Sequence, residues 1–314
     1  MAAHLLRRLA LAVVLALFAC TLIFVVVRLV DPHPSADLLG LGATPEQIAA
    51  KDAEIGVDQP LWRQYTTWLT GALGGDFGRS WQFGTAVSDL VVSRLPVTAS
   101  IAVATTVVSG IVGAGVGLLA AQRGGGLDRV LQIALVAGFA LPGFWVAIML
   151  SSVFSVQLGW LPAVGYTPLA ESPLGWLRSI LLPVLALTLG SAAAIAQQMR
   201  NSAREVLAQG YVTTLRSRGV PARRILLRHV ARNAAPTSLT TLSLQFTGLF
   251  GGAIVLEQVF ALPGLGGVAT PATAFGDVPV VMAVVLVSVL VTVVVNVVTE
   301  FLQTVLNPRA RRPA

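Results

Sequence analysis

Residues 279–306 read PVVMAVVLVSVLVTVVVNVVTEFLQTVL, with a single charge, Glu300. As a helix this stretch would run about 42 Å, longer than the roughly 30 Å hydrocarbon core of a bilayer. It predicts a membrane-crossing helix. Working outward from it, five more stretches meet the same requirement: 9–30, 97–121, 130–156, 180–199 and 236–256. Six spans in 314 residues predict an all-α polytopic membrane protein. Composition agrees, with 55% apolar and only 11% charged residues and a mean hydropathy of +0.80. A soluble domain carries about 25% charge, so a cytosolic globule is excluded. A disordered chain is excluded by the apolar content.

The N-terminus admits two readings. Arg7 and Arg8 precede an apolar run reaching Leu17, Phe18, Ala19 and Cys20, which resembles a lipoprotein-type signal peptide. The run continues through 23–27, however, and a signal core should end near its cleavage site. A retained first span is therefore expected. Cys20 is the only cysteine, so no internal disulfide exists, and it reads as a small buried hydrophobe.

Arginine placement predicts the orientation. With both termini inside, the inner segments hold fifteen arginines against Asp128, Glu205 and Glu300. The outer side holds six bases and eleven acids. Arginine-rich short loops stay in the cytoplasm. The net charge of +7 is thus explained by topology rather than by nucleic acid. No charge falls in the middle third of any span, which argues against a proton-coupled pump or a voltage sensor. Asn296, Gln197, Gln198 and Gln245 are the main polar side chains inside spans and read as interhelical hydrogen-bonding groups or as lining of a polar passage.

Small residues recur at helical spacing. Thr105, Ser109, Gly113 and Gly117 share one face, and Gly248 with Gly252 form a GxxxG pair. Both predict close helix–helix approach.

Two connections are long. The outer segment 31–96 contains Thr44–Pro45–Glu46–Gln47, a capping box with proline in the first turn, opening a helix expected to stop near Gly56. Pro60 signals a second helix with Leu61, Trp62, Tyr65, Trp68 and Leu69 on one face. Those aromatics either bind a ligand, pack a small loop domain or sit at the membrane interface. Residues 85–94 predict a short amphipathic helix. The inner segment 200–235 is basic and broken by Gly210, Gly219 and Pro221. It predicts short helices over 211–218 and 222–232, serving either as a membrane-surface element or as a docking surface for a cytoplasmic partner. After the fifth span, Glu257 is expected near water and Pro263–Gly264 at a tight turn.

Energy-coupling and catalytic signatures are missing. The only lysine, Lys51, lies in no G-x-x-x-x-G-K-[ST] context, so no P-loop is present. His4, His33 and His229 are scattered, with no zinc spacing and no nucleophile–base constellation.

From near Arg7 to Arg309 the chain resembles the membrane-spanning permease subunit of dipeptide/oligopeptide-type ABC importers. The resemblance rests on residues 43–48 with Gly56 and Pro60–Leu61, on Gly75–Asp76–Phe77–Gly78–Arg79–Ser80, on Arg94–Leu95–Pro96–Val97–Thr98 and on Gly159–Trp160–Leu161–Pro162. It continues through Tyr211–Val212, Arg216, Arg218–Gly219, Arg224, residues 226–229 and 232–234. It ends with Glu257, Val259–Phe260, Pro263–Gly264–Leu265–Gly266, residues 277–280 and 306–309. Departures are Thr213–Thr214–Leu215 where the family often has E-A-A, an early Pro236, and Asp31–Pro32–His33–Pro34 in place of P-G-D-P.

The resemblance implies a type I ABC importer permease fold with a small helical extracytoplasmic loop domain. It divides the chain into a first span (1–30), a loop domain (31–93), a permease core (94–306) with coupling loop 200–235, and a tail (307–314). It implies a bacterial inner-membrane protein without catalysis of its own. Its partners would be a homologous second permease, two cytoplasmic ATPase subunits or domains that bind ATP and Mg, an extracytoplasmic substrate-binding protein and the lipid bilayer, with no nucleic acid. The cargo would be di- or oligopeptides, with nickel chelates, glutathione, haem or sugars as alternatives; a secondary transporter or channel is the remote reading. Glu205, Tyr211, Thr214, Arg216, Ser217, Arg218, Gly219 and Arg224 would couple to the ATPases. Glu257, Phe260, Pro263, Gly264 and Gly266 would form an outer gate or a binding-protein contact.

Overall fold

The structure, a computed structural model, describes residues 2–31, 33–40, 42–122 and 126–306. The described residues are helical apart from their connections and one isolated antiparallel bridge, Arg79 to Ala86. They divide into two compact units, 2–98 with 263–293 and 99–262 with 294–306. Among the described residues five helices are long and apolar enough to cross a membrane, and a sixth crossing is made if one sharply bent pair counts as a single span.

The first unit begins with α1 (Ala2–Val30), followed by α2 (Pro34–Leu39), α3 (Pro45–Ile55) and α4 (Leu61–Leu73). The capping box opens α3 as its sequence predicts. The Gln47 amide donates to Thr44 Oγ1 at 3.4 Å and the Thr44 amide to Gln47 Oε1 at 2.9 Å. Gly56 ends that helix in the left-handed region. Beyond α4, the Gly78 amide donates to Asp76 Oδ1 at 2.8 Å, and Arg79 Nη2 to the Gly84 carbonyl at 2.7 Å. Ser80 Oγ then donates to the buried Asp277 Oδ2 at 2.5 Å, with the Gln82 amide on the same oxygen at 3.1 Å. These bonds fasten the 75–86 loop to the start of the last span.

The amphipathic helix expected over 85–94, leading into the second span, is the first part of α5, which runs unbroken from Val87 to Gln122 with Pro96 inside it. Proline removes one donor and usually ends a helix in water, but membrane helices tolerate it because neighbours re-satisfy the freed backbone.

The second unit is built on α8 (Pro173–Leu207), the most enclosed of the five crossing helices. α6 (Gly126–Ala140) and α7 (Gly143–Ser151) both pack on it. The expected third span, 130–156, is therefore two helices bent by 93°. The break falls at Leu141–Pro142. Proline lacks the donor and drives its predecessor out of the helical region, and Pro142 becomes the N-cap of α7 with φ −63° and ψ 129°. A π-helical stretch, Ser152–Gln157, follows α7.

The small-residue face of α5 meets α8 as its spacing predicts. A Cβ on Gly113 would lie 2.8 Å from the Ala192 carbonyl, and one on Gly117 only 2.5 Å from that of Ala196. Ser109 Oγ and Ser191 Oγ hydrogen-bond at 2.5 Å. The GxxxG pair is only half used within this chain: Gly252 faces Leu187 Cδ2 at 3.2 Å, whereas nothing lies within 4 Å of a Cβ on Gly248.

After α8 come α9 (Gly210–Ser217), α10 (Ala222–Arg224), a π-helical stretch at Ile225–Val230 and α11 (Ala231–Val259). α12 (Gly266–Ala274) returns to the first unit and leads to α13 (Val278–Leu306). At its far end α13 meets α11 through polar pairs. Ser243 Oγ donates to Asn296 Oδ1, and Gln303 Nε2 donates to Thr240 Oγ1 at 3.0 Å. Asn296 therefore serves helix–helix bonding, whereas Gln198 bonds within its own helix, to Ser202 Oγ at 3.4 Å.

Candidate functional site

The elbow between α8 and α11 gathers the residues that the sequence singles out for coupling. α9 is short, only eight residues, and too short to hold itself as an isolated helix. Tertiary packing holds it instead. Val212 is fully buried and joins Met199, Ala203 and Val206 of α8 with Ile225, Leu226, Val230 and Ala234 beyond the turn. Leu215 and Val220 pack against the same cluster. Burying a valine side chain contributes roughly 1.5–3 kcal/mol, so Val212 is the anchor of α9.

The end of α9 is a paired-bond stop. The Gly219 amide donates to the Arg216 carbonyl at 2.9 Å and the Val220 amide to the Leu215 carbonyl at 3.1 Å. This arrangement requires a left-handed residue after the last turn, and Gly219 has φ 74°. The expected boundary at Gly219 is thus met.

The second inner helix differs from expectation. Instead of an independent element over 222–232, α10, the π stretch and α11 form one helical run, Ala222–Val259. Pro236 lies inside that run, not at its start. The wide π turn just before it is a known site of helix adjustment. The elbow is consequently continuous with α11 as well as close to α8. Asn233 Nδ2 adds a direct tie, donating to Tyr211 Oη at 2.9 Å.

The opposite face of α9 is open. Tyr211, Thr214, Arg216, Ser217, Arg218 and Gly219 are exposed, as are Glu205 and Arg224 on either side. Thr214 and Ser217 hydroxyls bond back to the Gly210 and Thr213 carbonyls at 3.3 and 3.1 Å. Arg216 sits in the last turn, where a cation complements the helix dipole. All eight residues expected to couple are thus exposed, around an elbow whose apolar underside is the Val212 cluster.

One feature escaped the sequence reading. Asp128 at the start of α6 takes Arg200 Nε and Nη2 at 2.7 and 2.8 Å, and Arg204 Nη2 at 2.8 Å. The Gln132 carbonyl oxygen, in the amide orientation that satisfies both groups, accepts from Arg200 Nη1 at 2.9 Å. This clamp braces α8 where it leads into the elbow. Its sequence signal was two arginines four apart facing the single acid of the preceding inner segment.

The five residues expected at an outer gate or binding-protein contact fall in different units. In the second unit Glu257 and Phe260 are both buried. Glu257 therefore does not reach water as expected. α11 continues past it to Val259, which places it on the inward face with Ala253 and Leu256. The Leu262 amide donates to the Glu257 carbonyl at 2.8 Å, and Ala261 between them takes φ 47°. In the first unit Pro263 is exposed, Gly264 and Gly266 are buried, and the Leu265 amide donates to Thr98 Oγ1 at 2.9 Å.

Comparison with known proteins agrees across the chain. A family described as "Binding-protein-dependent transport system inner membrane component" matches residues 113–312, and its N-terminal companion matches residues 1–102. A Brucella abortus (strain 2308) protein, provisionally named as a peptide transport system permease, is 38% identical over 312 residues, covering 99% of each chain. The glutathione transport system permease protein GsiC of Escherichia coli (strain K12) is 33% identical over 291 residues, covering 92% of each. An inward-facing structure of the MetNI methionine ABC transporter superposes with a TM-score of 0.56 at 19% identity, over 69% of this chain and 96% of that one.

Proposed function

The chain belongs to the family of binding-protein-dependent transport system inner membrane components, and on that premise we propose that it is the permease subunit of an ATP-driven importer of di- and oligopeptides. The name of the Brucella relative supports peptides; the name of the Escherichia coli relative supports glutathione, itself a short peptide. A peptide backbone with variable side chains is the common chemistry.

The observation that carries the reading is the elbow. A basic face that docks a cytoplasmic ATPase must pass force to the membrane, which requires a stiff link. α9 has that link on both sides, through the Val212 cluster to α8 and through Tyr211–Asn233 to α11. ATP and Mg would be bound by two partner ATPase subunits, and hydrolysis would occur there. Closing of the ATPases would move α9, and α8 and α11 with it, between inward- and outward-facing states. A homologous second permease would supply the other half of the pathway, and both termini would be cytoplasmic. Outside, Pro263 would meet the substrate-binding protein, with Gly264 and Gly266 in the same turn, and Glu257 and Phe260 would belong to an outer gate.

The test is coupling in the reconstituted complex. Arg216→Glu combined with Arg218→Glu should leave insertion and assembly of the permease intact while transport per ATP hydrolysed collapses. Undiminished transport by that variant would refute the assignment. Competition by dipeptides and by glutathione in the same vesicles separates the two cargo readings.

A further inference from the structure

We infer that α4 is an interfacial helix seated in the lipid at the C-terminal end of α1, not a helix of a loop domain standing clear of the membrane. The depth of its contact with α1 carries this. Tyr65 of α4 hydrogen-bonds through its hydroxyl to Thr21 Oγ1 at 2.8 Å, and its ring packs on Phe24 with centroids 5.4 Å apart. Thr21 lies within the apolar crossing stretch Ala10–Val30, nine residues before the end of α1. At 1.5 Å per residue that is about 13 Å along the helix. Half of a hydrocarbon core is about 15 Å. α4 therefore lies alongside the part of α1 that crosses the membrane.

The composition of α4 suits that position. Its thirteen residues carry one charge, Arg63. Trp62 and Leu73 are 69% and 83% exposed and lie on the same side of the helix. The exposed threonines between them need no water. Thr66 Oγ1 donates to the Trp62 carbonyl and Thr70 Oγ1 to the Thr66 carbonyl, both at 2.9 Å. Tryptophan at the headgroup level and an arginine reaching outward from the edge are what an interface selects. Lipid is the occupant because α4 rests on the apolar crossing stretch of α1, whose Leu22, Val25, Val26 and Leu29 are themselves exposed.

The experiment measures depth. Single cysteines at Trp62→Cys and Leu73→Cys are made in a Cys20→Ser background and spin-labelled. The full chain, with its co-purifying subunits, is reconstituted in vesicles of phosphatidylethanolamine and phosphatidylglycerol. Collision rates with oxygen and with a water-soluble nickel chelate are compared with those at Val26→Cys and Asp58→Cys. Labels at 62 and 73 should favour oxygen, as at 26. Nickel access like that at 58 would overturn the proposal, and so would shielding from both reagents, which means a protein partner covers the face. For a labelled variant that does not assemble, quenching of tryptophan by brominated lipid decides: Trp62→Phe should remove a quenchable fraction of the emission, and an unchanged fraction sinks the proposal. None of these outcomes depends on cargo or on ATPase coupling.

Discussion

Arg200 meets Asp128 through two parallel hydrogen bonds, Nε to Oδ1 at 2.7 Å and Nη2 to Oδ2 at 2.8 Å, joining α8 to α6. The Arg200 side chain is 8% exposed, whereas Arg204, on the same carboxylate, is 40% exposed. Removing the carboxylate leaves a nearly buried guanidinium without its counterion, which is far worse than losing a partly solvated pair. Asp128→Asn should therefore lower the melting temperature of the purified assembly clearly more than Arg204→Gln does. Equal shifts from the two would show that Arg200 has found another partner.

The glycines of α5 and α11 give a second contrast. A methyl on Gly117 would press on the Ala196 carbonyl, a backbone atom that cannot swing away, whereas one on Gly248 meets nothing within 4 Å. Gly117→Ala should cost about 1–3 kcal/mol by overpacking and reduce the yield of folded chain. Gly248→Ala should leave the isolated chain unchanged in thermal melts. If Gly248→Ala instead weakens association with a second permease, the open glycine faces that subunit.

Much of this was legible in the sequence because single residues act locally. The Thr44 capping box, the stop at Gly219 and the small face at Gly113 and Gly117 depend on nearest neighbours or on helical spacing, and each lies where it was expected. Proline accounts for the helix boundaries that differ. Pro96 and Pro236 lie inside helices although proline marks ends in water, and Pro142 breaks a stretch whose hydropathy looks continuous. Hydropathy reports solvent, not direction, so a 93° bend is invisible to it. A pairing across the chain such as Ser80 with Asp277 leaves no spacing signal, and the burial of Glu257 depends on how far α11 continues.

At the elbow, Gly219 at φ 74° tolerates a side chain poorly. The left-handed conformation costs an alanine about 1–2 kcal/mol. Gly219→Ala should therefore loosen α9 and lower transport per ATP hydrolysed. Gly219→Pro should be worse, since it cannot adopt that φ and also loses the amide bonded to Arg216. If the two variants transport as well as wild type, the stop at Gly219 plays no part in force transmission.

Val212 tests the same path from beneath. Val212→Ala removes two buried methyl groups, about 0.8 kcal/mol each, with a further penalty for the cavity left. The exposed arginines of α9 remain in place, so ATPase docking should persist while the apolar link to α8 slackens. Protease accessibility at Arg216 and Arg218 should rise, together with a fall in transport coupling. Raised accessibility without any loss of coupling would mean that force travels through Tyr211 and Asn233 alone.

The last relationship lies in the first unit, where Ser80 Oγ donates to the fully buried Asp277 at 2.5 Å and also accepts the Phe83 amide at 2.8 Å. One hydroxyl thus orders the loop and fastens it to the start of α13. Ser80→Ala removes both bonds and leaves Asp277 Oδ2 with the Gln82 amide alone, at a cost of about 1–3 kcal/mol for an unsatisfied buried group. Ser80→Thr retains the hydroxyl. Hydrogen exchange of residues 78–86 should accelerate in the alanine variant and much less in the threonine variant, with transmembrane exchange in α5 unchanged. Acceleration spreading along α5 would show that the loop supports this helix as well as the start of α13, because α5 begins at Val87, whose amide donates to the Gly78 carbonyl at 3.0 Å.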